Sequence, residues 1–128
     1  KGVLEADDAR AAIDTGADGV IVSNHGGRQL DGVASSISKL ADVAAAVGSH
    51  AEVYLDGGVR SGIDVVKALA LGARGVLVGR PWVYALAARG ETGLVDLLDL
   101  FQREIVTAMA LMGVKTIGEI NADLIETV

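Results

Sequence analysis

The 128-residue chain is 51% apolar and 22% charged, which excludes a disordered polypeptide and fits one globular unit. Its net charge of −6, with eleven basic residues scattered along the chain, excludes the basic stripe of a nucleic-acid surface, so no nucleic-acid partner is expected. The absence of cysteine excludes disulfides and thiol chemistry, and with only Tyr54, Trp82, Tyr84 and Phe101 as aromatics the core must be built from Ala, Val, Leu and Ile, as in helix-covered parallel sheets.

In chain order, "KGVL" opens without Met and without an apolar h-region. It reads as the tail of a strand whose beginning lies upstream, with Lys1 at the end of the stub. Residues 6–15 follow with Ala6, Ala9, Ala12 and Ile13 at the spacing of an apolar helical face. "GADGVIV" (16–22), "AEVYLDGG" (51–58) and "GARGVLV" (72–78) are short aliphatic runs bounded by glycine, and they predict buried strands over 19–23, 52–56 and 75–78. Between them, residues 35–47 and 62–71 again carry helical spacing. Strand–helix repetition implies parallel strands joined by right-handed crossovers.

The remainder differs. "GVLVGRPWVYALAA" is cut by Arg80 and Pro81, so it predicts no membrane span, and Pro81 suits the first turn of a helix. Leu94, Leu97, Leu98, Phe101, Ile105, Ala108 and Met112 predict one long amphipathic helix over 93–112, closed by Gly113. "TIGE", with Thr116 and Glu119 at capping-box spacing, predicts a short final helix. Three strands and a stub are few for a covered parallel sheet. A β/α barrel needs eight strands and about 250 residues. If these are barrel units, the edges left bare are expected to be covered by a partner segment.

In parallel α/β folds the reactive groups gather where strands end. Lys1 lies at the stub, Ser23, His25 and Arg28 follow the first strand, Asp56 and Arg60 the second, and Gly79 and Arg80 the third. In "SNHGGRQLD", Gly26 and Gly27 let a flat ligand approach, His25 can act as a general base, and Arg28 offers a planar fork for a carboxylate. In "DGGVRSG", Gly57, Gly58, Arg60 and the N-terminus of the helix that follows predict a phosphate cradle, while Asp56 can accept from hydroxyls. "LVGRP" repeats the glycine–arginine pairing on the next strand, and phosphate between the last two strand-end loops is a common barrel arrangement. His50 reads as surface, Phe101, Met109 and Met112 as core, and Asp96 and Asp99 as a solvated helix side. No metal-ligand spacing, GxSxG or Walker motif occurs, so no metal is expected.

"KGVL", "GVIVSNHGGRQLDG", "DGGVRSGIDVVKALALGA" and "VLVGRP", in this order and spacing, together with "LLDLFQREIVTAMALMGVKTIGEI", resemble the C-terminal half of the FMN-dependent L-2-hydroxy acid dehydrogenase and oxidase family. Within it, "LDGVASS" and the tail are most similar to the bacterial quinone-linked L-lactate dehydrogenase branch. The resemblance implies an α/β fold: the C-terminal half of a (β/α)8 TIM barrel, from the end of strand five through strand eight plus the C-terminal helices. Residues 1–128 would then form the C-terminal part of one FMN hydroxy acid dehydrogenase domain, an incomplete barrel.

The implied activity is oxidation of an L-2-hydroxy acid, L-lactate first among them, with FMN as electron acceptor. Lys1 would stand against the flavin N1/O2 edge, Ser23 would hydrogen-bond the flavin, His25 would be the base, and Arg28 would hold the substrate carboxylate. Asp56, Gly57, Gly58 and Arg60 would line the ribityl–phosphate arm, completed by Gly79 and Arg80. The family's orienting aspartate, substrate tyrosines and second substrate arginine lie upstream of these motifs, so the chain by itself is expected to be weakly active or inactive. The implied partners are the N-terminal half of the barrel and further copies in a tetramer. The implied location is cytoplasmic, at the inner membrane face in the quinone-linked branch. Two rivals remain: another FMN- or phosphate-binding barrel enzyme, which would not need His25 with Arg28, and an inactive half-barrel that serves assembly alone.

Overall fold

A computed structural model of the chain describes residues 1–126. Residues 127 and 128 of the 1–128 unit lie outside the described residues. Three parallel strands, β1 (Gly19–Ser23), β2 (Glu52–Asp56) and β3 (Gly75–Leu77), stand side by side in sequence order. Gly19 pairs with Glu52 and Ser23 with Asp56, and further along Asp56 pairs with Leu77. The expected stub is present on the other side of β1. Val3 bridges Val22 in parallel, the Gly2 N–H donates to the Ile21 carbonyl, and the Ser23 N–H donates to the Val3 carbonyl.

The helices α1 (Ala6–Asp14), α2 (Ser36–Val47) and α3 (Gly62–Ala70) fill the connections. Val20, Val22, Val53 and Leu55 are buried in one cluster with Ala9 and with Leu40, Val43 and Val47 of α2. The alternate residues Ile21, Tyr54 and Asp56 are only half-buried. One face of the sheet is therefore covered and the other is not. A doubly wound sheet would reverse its strand order and carry helices on both faces. Sequential order with one-sided cover is the geometry of a barrel sector, whose inner face is filled by side chains from strands across the barrel. Each fully buried Val or Leu contributes about 1.5–3 kcal/mol, so the covered face holds the sheet together.

Beyond β3 the chain stays helical from Arg80 to Met112 (α4), interrupted at Arg89 and Gly90, where the backbone leaves helical geometry. A Cβ on Gly93 would stand 2.2 Å from the Ala85 carbonyl oxygen, so only glycine lets the two segments meet at this corner. The segment after the break matches the expected amphipathic helix, and Gly113, at φ 76°, caps it in the left-handed region. It packs on α3. Phe101 is buried in the main cluster, and Ile105, Met109 and Met112 join Val66, Ala70 and Ile120 in a second cluster. Leu98 departs from expectation: it sits at the margin of the apolar stripe and is exposed.

The "TIGE" expectation is also corrected. The Thr116 side chain caps no backbone N–H; its hydroxyl donates to Glu119 at 3.1 Å, and the segment makes only a 3-10 turn over Ile117–Glu119. Gly118 and the exposed Ile117 supply neither propensity nor a buried face to extend it.

Candidate active site

Because β1 and β2 are in register at Ser23 and Asp56, their last residues meet on the uncovered face at the C-terminal end of the sheet. The Ser23 hydroxyl donates to Asp56 Oδ2 at 2.7 Å, and Lys1 Nζ lies 3.0 Å from the same oxygen. Partial burial pushes the Asp56 carboxyl up. The Ser23 hydrogen bond, the Lys1 ammonium and the nearby His25 together outweigh that, and hold it below the ordinary value of 3.8. Asp56 is thus a fixed negative charge clamped between a hydroxyl and an ammonium.

The loop after β1 carries His25. Its φ of 54° makes it the one described non-glycine residue in the left-handed region, an arrangement that costs on the order of 1–3 kcal/mol and persists only where surroundings enforce it. Its N–H donates to the Ser23 hydroxyl at 3.0 Å. Its ring lies against the stub: a Cβ on Gly2 would come within 2.7 Å of His25 Cε1. Position 2 must be small for the imidazole to rest where it does.

One open cavity of 460 Å³ is lined by Lys1, His25, Arg28, Asp56, Gly57, Gly58, Arg60, Gly79 and Arg80. Every residue expected at the site lies in its wall except Ser23. Ser23 is 1% exposed and sits beneath, its oxygen engaged by both Asp56 and His25. Trp82, which lies in no motif, also lines it, as do Leu77 and Gln29 from within the motifs. A neighbouring cavity of 430 Å³ shares Arg60 and Arg80 and adds Lys67.

The phosphate cradle needs one correction. The N-terminus of α3 is already closed, because the Arg60 and Ser61 N–H groups donate to Asp64 Oδ2 at 2.9 and 3.1 Å. Asp64 N–H donates back to Ser61 Oγ, and Gly62 N–H donates to Glu104 Oε2 at 2.6 Å. Two carboxylates occupy the positive end of this helix, so an anion gains nothing there. The first turn of α4, by contrast, has Gly79 as its cap residue and no capping side chain. It is the helix end able to meet a phosphate, with the Arg60 and Arg80 side chains beside it.

Charge points the same way. Among the described residues, ion pairs engage Lys1, Arg10, Lys39, Arg74 and Arg89, but none engages Arg28, Arg60, Lys67 or Arg80. Of the six basic side chains without an ion pair among the described residues, these four line two adjoining cavities, and only Arg103 and Lys115 lie elsewhere. Gly58, at φ 83°, has open space where a Cβ would stand, and it lines the same cavity as the two arginines. This donor set fits FMN: cations and an uncapped helix end for the phosphate, and Lys1 with Asp56 for polar groups further along. The described residues contain no group of three His, Cys, Asp or Glu suited to a metal, and no helix long and apolar enough to cross a membrane.

The loop also holds residues that motif reading passed over. Asn24 N–H donates to Ser36 Oγ, its Nδ2 donates to the Ala34 carbonyl, and its Oδ1 accepts from Gly26 N–H. An Asn directly after a strand and before His-Gly-Gly is a visible Asx-turn signal. Glu104, far along the chain, gives no local signal at all.

Known proteins share this sequence and fold. A family model described as FMN-dependent dehydrogenase matches residues 1–127. The L-lactate dehydrogenase of Caulobacter vibrioides is 62% identical over 125 residues, covering 98% of this chain and 33% of that protein. The L-lactate dehydrogenase of Pseudomonas aeruginosa is 55% identical over 123 residues, covering 96% and 32%. A mandelate oxidase variant solved with a monooxide FMN adduct superposes with a TM-score of 0.91 at 52% identity, covering 94% of this chain and 38% of that one. The chain thus spans about a third of the length of the curated relatives it matches. The chain belongs to the FMN-dependent dehydrogenase family and forms a sector of that family's barrel.

Proposed function

We propose that this chain supplies the base, the substrate-carboxylate clamp and the FMN-phosphate end of a site that oxidises an L-2-hydroxy acid to the 2-oxo acid. L-Lactate is the favoured substrate, since curated relatives named L-lactate dehydrogenase match the chain at 62% and 55% identity. The observation that carries the reading is the convergence of His25, Arg28 and Lys1 with unpaired Arg60 and Arg80 on one cavity.

The oxidation removes two electrons and two protons from the substrate carbinol, and FMN, when bound, provides the two-electron acceptor. Arg28 holds the carboxylate through a two-pronged contact that an ammonium could not make. An imidazole nitrogen of His25 takes a proton, either from the hydroxyl as hydride leaves the α-carbon or from the α-carbon itself. Lys1 supplies positive charge where electron density accumulates, and Asp56 keeps that ammonium in place. Arg60 and Arg80 neutralise the phosphate, assisted by the uncapped first turn of α4.

The half-buried inner face, with Ile21 and Tyr54, and the exposed Trp82 and Val83 support a second element of the reading: the chain works as the C-terminal part of one larger domain. Alone it would bind FMN weakly and turn over slowly or not at all. The test is anaerobic flavin reduction by L-lactate in a complete barrel carrying this segment. His25→Gln should slow reduction by about 10²–10⁴-fold with flavin still bound. Unchanged reduction would remove His25 from the reaction, and robust turnover by the isolated chain with added FMN would overturn the requirement for the rest of the barrel.

A further inference from the structure

The strained histidine is held by a device that no feature of the reaction demands by itself. Three consecutive N–H groups, those of Asn24, His25 and Gly26, each donate to a side-chain oxygen: Ser36 Oγ at 3.0 Å, Ser23 Oγ at 3.0 Å and Asn24 Oδ1 at 2.9 Å. The acceptors are themselves anchored. Ser36 is 2% exposed at the first turn of α2, Ser23 is fixed by Asp56, and Asn24 Nδ2 reaches the Ala34 carbonyl at 3.3 Å, tying the two ends of the loop together. Gly57 closes the arrangement from the next strand-end loop. A Cβ there would stand 3.1 Å from Asn24 Oδ1 and 3.2 Å from Ser36 Oγ, so the clamp and a side chain at position 57 compete for one space.

We propose that Asn24 and Ser36 are positioning residues: together they lock residues 24–26 so that His25 stays in the left-handed region with its ring over Gly2 and facing the cavity. Gly57 then has a task besides cofactor approach, which is to leave room for the lock. This inference rests on the reading of His25 as the base. Its logic is that a displaced base loses rate steeply, about 10²-fold for a misplacement near 1 Å, while substrate and cofactor contacts made by Arg28, Arg60 and Arg80 are untouched.

The test uses a flavin-loaded enzyme with a complete barrel containing this segment, and follows flavin reduction by L-lactate in single turnovers. Asn24→Ala should lower the limiting reduction rate by about 10- to 100-fold, with the substrate concentration for half-maximal rate changed less than about threefold. Flavin content should stay stoichiometric. A double-mutant cycle separates positioning from general damage: on a His25→Gln background, Asn24→Ala should cause no further loss, because there is no base left to misplace. Ser36→Ala, which removes a single acceptor, provides an independent arm should Asn24→Ala shed its flavin, and it should show the same split with a smaller loss. The clamp is refuted if both variants reduce flavin within about twofold of the parent, or if their losses add fully to that of His25→Gln. A His25→Gln enzyme that reduces flavin normally refutes the base assignment instead, so the two failures are told apart.

Discussion

The two ends of the sheet carry hollows of the same size and opposite character. At the N-terminal end of the strands a 460 Å³ depression is lined by Asp18, His50, Glu52 and Arg74. There the one arginine is paired. Arg74 Nε lies 2.9 Å from Glu52 Oε1, and the Tyr54 hydroxyl donates to Glu52 Oε2 at 2.6 Å, a hydrogen bond that raises the Tyr54 pKa. At the C-terminal end a cavity of equal volume is bordered by Arg28, Arg60 and Arg80, none with a carboxylate partner among the described residues. Volume does not tell a ligand site from a surface fold. Unsatisfied charge is the better guide, since a cleft lined by cations of one sign concentrates anionic ligands.

The most severe way to break this contrast is to remove a cation from the unpaired set. Arg80→Ala in a complete barrel should weaken FMN binding by about 10- to 100-fold, the equivalent of losing a charge-assisted hydrogen bond worth about 1.5–3 kcal/mol. Fluorescence titration of apoprotein with FMN measures it, and unaltered affinity would mean that Arg80 does not face the phosphate.

A middle-sized effect concerns Asp56. Its carboxyl ionises at lower pH in the folded chain than in the unfolded one, so its contribution is complete above the ordinary value of 3.8 and fades as pH falls through the lower, folded value. Asp56→Asn should therefore flatten the acid limb of apoprotein stability in urea titrations below 3.8. An acid limb as steep as the parent's would place the linkage elsewhere.

The smallest effect is the sharpest control. Arg74→Ala removes a cation from the satisfied end, where an exposed pair is worth about 0–1 kcal/mol. Thermal unfolding should shift slightly and FMN affinity not at all. A drop in FMN binding comparable to that of Arg80→Ala would erase the distinction between the two ends.

Much of this was legible in the residues themselves. Glycine-bounded aliphatic runs gave all three strands, and the placement of His25, Arg28, Asp56, Arg60 and Arg80 behind them followed from the rule that parallel strands present chemistry where they end. The cradle was misread at α3 for an instructive reason. Ser61 and Asp64 stand at capping-box spacing, as do Thr116 and Glu119, yet the first pair closes a helix and the second closes only a turn. After Ser61, Val66 and Ala70 have α4 to pack against; after Thr116 comes exposed Ile117 and Gly118. Short-range pattern names candidates, and tertiary burial selects among them. Glu104, which finishes closing α3 from 42 residues away, belongs wholly to the second kind of information.

The naked α-carbon of Gly2 has a mechanical meaning. It forms the bench on which the imidazole rests, and that bench is fastened to the sheet by the Gly2–Ile21 and Ser23–Val3 backbone bonds, the Lys1–Asp56 ion pair and the packing of Val3 and Leu4 on the core. Aim of the proton acceptor is thus inherited from a neighbouring strand tail rather than from its own loop alone. Whatever pries that tail from the sheet, such as a protease cut or a bulkier residue at position 2, would unseat the ring before any bond to the ligand is disturbed.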